Sequence, residues 1–199
     1  MPAGGEQQGG MMDRMLAASD AINRVLERIA MAAGWLFVVC TLVIIFDVLS
    51  RKFGFQIPGL GSTRLQELEW HLNTALFSFW LGVGYIKNTH VRIDIALAKA
   101  RPRTHAWIEL LGCIAFALPY CLIAIYFSYD FASISFIDNE HSESATGLPY
   151  RWVPKGIIFL GLVLLLTAVL SVLMRVIVYL FGPERLRAAS AVAGARAHG

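Results

Sequence analysis

Glu67, Glu69 and His71 fall within five residues of one another, and Glu67 and His71 stand four apart, so a helix would bring them onto one face. The same spacing recurs twice: Asp47 precedes Arg51, and His90 precedes Asp94. Carboxylate–histidine pairs can move protons, ligate metals or form ion pairs, so each chemistry has to be weighed. No Ser–His–Asp ordering or metal-ligand run stands out, and the glycines Gly82 and Gly84 sit in an apolar run with no GK[ST] after them, which excludes a nucleotide loop. A haem-carrying membrane anchor needs axial ligands facing each other within the spans. Of the five histidines (His71, His90, His105, His141, His198), only His71 enters an apolar run, and it does so near the end. Cys40, Cys113 and Cys121 all lie inside apolar blocks, without the number or spacing of a disulfide framework or zinc site, and are expected as buried thiols.

The elements that must hold these residues are membrane spans. Of 199 residues, 57% are hydrophobic and 16% charged, against roughly a quarter charged in a soluble domain; the mean hydropathy is +0.60. A net charge of +3 is too small to argue for nucleic acid. The apolar residues gather in four blocks, giving an all-α membrane protein with spans of about 29–50, 66–87, 106–129 and 155–181 within a transmembrane domain at 29–182. Trp70, Trp80 and Tyr85 flank the short second block as interfacial anchors.

Residues 1–10 (MPAGGEQQGG) are expected to be disordered. Met11, Met15, Ala18, Ile22, Val25 and Ile29 then recur at helical spacing opposite Asp13, Arg14, Asp20, Asn23, Arg24 and Glu27. That pattern predicts an amphipathic helix over 11–28, lying along the bilayer surface or against a partner. Pro119 predicts a kink in the third span, because a hydrogen bond of the helix is lost there. Asp130 to Ile137 continues apolar enough to extend that helix, Arg175 is placed to snorkel out of the fourth span, and residues 183–199 are expected to form a disordered tail. Twelve of the lysines and arginines fall in the N-terminal segment, the linker after the second span and the C-terminal end, against five in the other two loops. This bias places both termini in the cytoplasm and the first and third loops outside.

Thr74, Ser78 and Gly82 form a small-residue stripe that lets another helix approach closely in a bilayer. Asp47, Arg51, Glu67, Glu69 and His71 gather at the outer mouth under this topology. They form either an interfacial network fixing the first hairpin, which we favour for each residue alone, or a docking surface for another protein. The spans carry few buried polar groups and no paired broken helices or inverted repeats, which argues against a self-sufficient channel or carrier.

LQELEWHL, a span with small residues, then HVRID together resemble the small membrane subunit of tripartite ATP-independent periplasmic (TRAP) transporters. Arg51-Lys52-Phe53-Gly54 matches that family's R-x-[FY]-x stretch, Glu67-Leu68 its Glu-Leu at the head of the second span, and His90 to Asp94 its His-[IV]-x-[IV]-Asp box. Glu143-Ser144 to Gly147-Leu148-Pro149 is also similar, and the likeness covers roughly residues 25 to 182. The resemblance implies a non-enzymatic scaffold in the bacterial inner membrane. It would hold a separate large subunit, which carries an organic acid inward with sodium, and help dock the periplasmic substrate-binding protein. Membrane lipids are then its other contact, no cofactor is expected in this chain, and the sodium sites would lie in the large subunit. Glu67, His90 and Asp94 become positioning residues. The alternative is a haem-binding anchor of an oxidoreductase.

Overall fold

The computed structural model describes residues 3–55, 57–89 and 101–190. Its helices are α1 (Ala3–Phe53), α2 (Ser62–Ile86), α3 (Pro102–Gly112), α4 (Leu118–Ile137), α5 (Trp152–Phe181) and α6 (Glu184–Ser190), with a π-helical turn at Cys113–Ala117 between α3 and α4. Among the described residues, three stretches are long and apolar enough to cross a membrane: Gly9–Phe53, Pro102–Ile137 and Trp152–Phe181. The expected second span is a helix in the expected place, but Gln66, Glu67, Glu69, His71 and Asn73 make its first turns polar.

The N-terminal region departs from expectation. Residues 11–28 do not form a separate surface helix; they run without a break into the first span, and the helix already begins at Ala3, inside the stretch expected to be disordered. No proline interrupts residues 3–53, so nothing forces the turn that a helix lying on the bilayer would require. At about 1.5 Å per residue, 51 helical residues extend about 76 Å, far beyond the roughly 30 Å of a hydrocarbon core. The buried face also differs from the one the periodicity suggests. Leu16, Ser19, Leu26, Ala30 and Ala33 are buried, whereas Met11 and Val25 are half exposed.

Pro119 acts as its chemistry requires. Its ring would collide with the carbonyl of Ala115, four residues back. The chain widens one turn ahead of it, and the Leu118 N–H bonds to Cys113 O across five residues. Past this widened turn, α4 runs on to Ile137, as the apolar continuation predicts. Helix α5 carries Pro154 in its first turn, where the missing N–H costs nothing. Gly182-Pro183 stops α5, but the chain then forms α6 over part of the expected disordered tail.

Two compact units divide the chain. One gathers the described residues within Met1–Glu27, Gly82–Leu122 and Leu164–Gly199; the other those within Arg28–Leu81 and Ile123–Val163. In the first, Ala106, Leu110, Cys113, Val172, Val176 and Leu180 form the core, with Tyr85 packed against it and its hydroxyl 3.3 Å from the Cys113 thiol. A second cluster joins Leu16, Val178 and Leu186, so α6 covers the N-terminal part of α1. The second unit carries a set of polar contacts at the ends of its helices, described next.

Candidate functional site

The head of α2 carries the densest of these contacts, and Glu67 is its centre. Glu67 Oε1 accepts a hydrogen bond from Ser142 Oγ, and Oε2 accepts one from the Leu148 N–H at 2.5 Å. The Arg151 guanidinium stands 3.9 Å from Oε1. The first turns of α2 thus hold, through Glu67, a segment that follows α4, residues 138–151. Arg64 adds a second grip, donating from Nε to Thr146 O at 3.1 Å. The Arg151 N–H closes the neck of the loop on Glu140 O at 3.1 Å. Glu140 in turn pairs with Lys155, whose ammonium lies 3.9 Å from the centre of the Phe131 ring. The hydrogen bond from Lys155 holds the Glu140 carboxyl below the usual carboxylate range.

Beside this hub lies a second pair. Asp47 is fully buried; Arg51 Nη2 donates to its Oδ2 at 2.5 Å, and Ser62 Oγ to its Oδ1 at 3.0 Å. A buried carboxylate needs such partners, since desolvation would otherwise neutralise it. Ser62 is the first residue of α2, so this bond ties the end of the first span to the start of the second. The i, i+4 spacing of Asp47 and Arg51 is therefore an ion pair. For Glu67 and His71 the same spacing has another meaning: His71 Nδ1 donates to the Glu67 carbonyl at 2.5 Å rather than to its carboxylate, and the imidazole packs on Trp70 with ring centres 4.1 Å apart. Glu69 keeps one buried carboxylate oxygen with no hydrogen-bond partner among the described residues, and its carbonyl accepts a weak bond from the Cys40 thiol at 3.6 Å.

Two members of the small-residue stripe, Ser78 and Gly82, face α5 of the same chain. Ser78 is wholly buried, and a Cβ built on Gly161 of α5 would stand 2.7 Å from its Cβ. A Cβ on Gly82 would meet Leu164 O of α5 at 3.1 Å. The physical cause is plain: α5 offers Gly161 opposite Ser78, so the two backbones close together there. His90 and Asp94 lie outside the described residues.

The sequence left two sets of contacts unnoticed. Ser142, Leu148 and Arg151 complete the Glu67 hub; the family-like segment beginning at Glu143 was the available signal, since it abuts all three. In the other unit the contacts centre on Arg175. It pairs with Asp20, donates from Nε to Ser19 Oγ at 2.9 Å and reaches Ala189 O of α6 at 3.1 Å. Ser19 and Ser171 stand 2.8 Å apart, and Ser171 donates to Asn23 Oδ1 at 2.6 Å. Solitary serines on apolar faces were the clue, but spacing does not pair residues in different helices.

These polar groups connect helix to helix and loop to helix. Among the described residues no three His, Cys, Asp or Glu side chains converge to hold a metal. The arrangement is that of an integral membrane protein whose polar residues fix its own architecture. The family follows from comparison: the model of the tripartite ATP-independent periplasmic transporters, DctQ component, matches residues 40–179, and the chain belongs to that family. It is therefore a TRAP transporter small permease component, as the motif boxes implied, and the family is a transporter component rather than a family of enzymes. No curated protein and no solved structure matches the chain.

Proposed function

We propose that this chain is the scaffold subunit of a sodium-coupled transporter for an organic acid. It braces the large subunit in the inner membrane and helps dock the periplasmic substrate-binding protein. The family match over residues 40–179 carries this reading. The internal use of the polar side chains supports it: Asp47, Glu67, Arg175 and Ser171 are bound to partners in the same chain. A solute-binding site would need such groups turned toward a cavity. The excess of lysine and arginine at the termini and middle linker supports cytoplasmic termini and an outward third loop. The same family match leaves the haem-anchor alternative without support.

Coexpression with the neighbouring large membrane protein tests the proposal. The two are expected to co-purify, and vesicles holding both are expected to take up an organic acid along a sodium gradient when the soluble binding protein is added. Uptake of equal rate without this chain would refute the scaffold role.

A further inference from the structure

The part of α1 ahead of the first span sorts its charges by side. Asp13, Asp20 and Glu27 stand seven residues apart and so share one row of the helix. Each is taken by a base from elsewhere in the chain: Asp13 by Arg185 at 2.7 Å, Asp20 by Arg175, and Glu27 by Lys87 at 2.5 Å. The bases of the same stretch are left over. Arg24 and Arg28 are exposed and have no ion-pair or hydrogen-bond partner among the described residues. Asp20, four residues before Arg24, is placed to pair with it along the helix, but Arg175 holds it. Arg24 and Arg28 are themselves four apart, so two like charges lie side by side, which is unfavourable without an anion between them.

The row they stand on continues down the first span. Met31, Trp35, Val38 and Leu42 follow Arg28 at steps of three and four along the unbroken helix, and all are exposed. From Met31 to Leu42 the axis rises about 16 Å, close to the depth of one leaflet, which is half of a hydrocarbon core roughly 30 Å thick. Two guanidinium groups above an apolar strip one leaflet deep match a phospholipid, with the phosphate at the arginines and an acyl chain on the strip. Guanidinium groups grip phosphate oxygens through paired N–H donors. Ala21 and Ala32, exposed beside the arginines, leave room for the headgroup. A zwitterionic headgroup adds no net charge, so only an anionic one offsets the pair.

We infer that Arg24 and Arg28 form a site for one anionic phospholipid in the leaflet on the N-terminal side of the first span. The site does not depend on what the chain braces. Arg14 is also exposed, but it lies ten residues before Arg24, about 15 Å along the axis, and is outside the site.

The test titrates the full chain, in a neutral detergent, against tail-labelled phosphatidylglycerol and separately against phosphatidylcholine with the same label, read by fluorescence anisotropy. Wild type is expected to bind phosphatidylglycerol about tenfold more tightly or better, the size that two arginines at a membrane surface give with an anionic headgroup. Arg24→Gln combined with Arg28→Gln is expected to abolish the preference, with phosphatidylcholine affinity and circular dichroism unchanged. Arg14→Gln is expected to keep it. Inorganic phosphate is expected to compete no better than chloride at equal ionic strength, whereas displacement by phosphate would make this a site for a free anion and overturn the lipid. A double variant that keeps the preference overturns the site, and an equal loss in Arg14→Gln reduces it to diffuse attraction and overturns it too. A double variant that binds both lipids as wild type does but releases the coexpressed large subunit overturns it by assigning the row to a protein neighbour.

Discussion

Two glycines five positions apart on α5 should respond oppositely to the same substitution. A Cβ at Gly161 would lie 2.7 Å from both the Cβ and the backbone carbonyl oxygen of Ser78. Unstrained carbon contacts sit at about 3.5–4.0 Å, so α2 and α5 must separate by nearly 1 Å. Overpacking of this kind costs about 1–3 kcal/mol, and contact with a backbone, which cannot rotate away, puts it at the upper end. Alanine recovers about 1 kcal/mol of helix propensity. The net loss for Gly161→Ala is therefore about 2 kcal/mol, or about 4–8 °C in Tm for a chain of this length. At Gly156 nothing lies within 4 Å of the added methyl, so Gly156→Ala keeps only the propensity gain of about 1 kcal/mol. Gly82→Ala falls between, because its methyl would meet Leu164 O at 3.1 Å and the flexible Leu26 side chain at 3.2 Å. Thermal unfolding in one detergent, followed by circular dichroism at equal protein concentration, ranks the three. If Gly161→Ala melts at or above Gly156→Ala, the close approach of α2 and α5 is wrong.

The Glu140–Lys155 pair carries a pH dependence. Because the Glu140 carboxyl titrates below its unfolded value of about 4.3, its contribution is fully present above that value and is lost as pH falls through the folded one. Glu140→Gln should therefore flatten the fall in Tm between about pH 5 and pH 3; an unchanged slope would disprove the coupling. Arg175→Ala removes the bonds to Ser19, Asp20 and Ala189, and a loss of about 1–3 kcal/mol is expected from charged hydrogen bonds of this kind. Hydrogen exchange should accelerate at residues 184–190, and protection equal to wild type would show that Arg175 does not hold α6.

The sequence alone determined the all-α membrane class, the place of the long apolar helices, the break at Gly182-Pro183 and the distortion imposed by Pro119. These are local consequences of hydropathy and backbone chemistry, read over a few residues. It also determined the family, because LQELEWHL and HVRID are each short contiguous motifs, and it paired Asp47 with Arg51, since four residues on a helix are neighbours in space. Tertiary structure alone decided what each polar residue touches. Glu67 meets Ser142 and Leu148 across 75 and 81 positions, and Ser19 meets Ser171 across 152; no periodicity reports on such distances. It also decided which face of a helix is covered. Spacing identified the stripe of Thr74, Ser78 and Gly82 as a seat for another helix, but only the packed chain shows α5 against Ser78 and Gly82. The long N-terminal helix teaches the same lesson: its most apolar face was visible, yet the buried one runs through Leu16, Ser19 and Leu26, because burial follows from the neighbour that fits and not from hydrophobicity by itself.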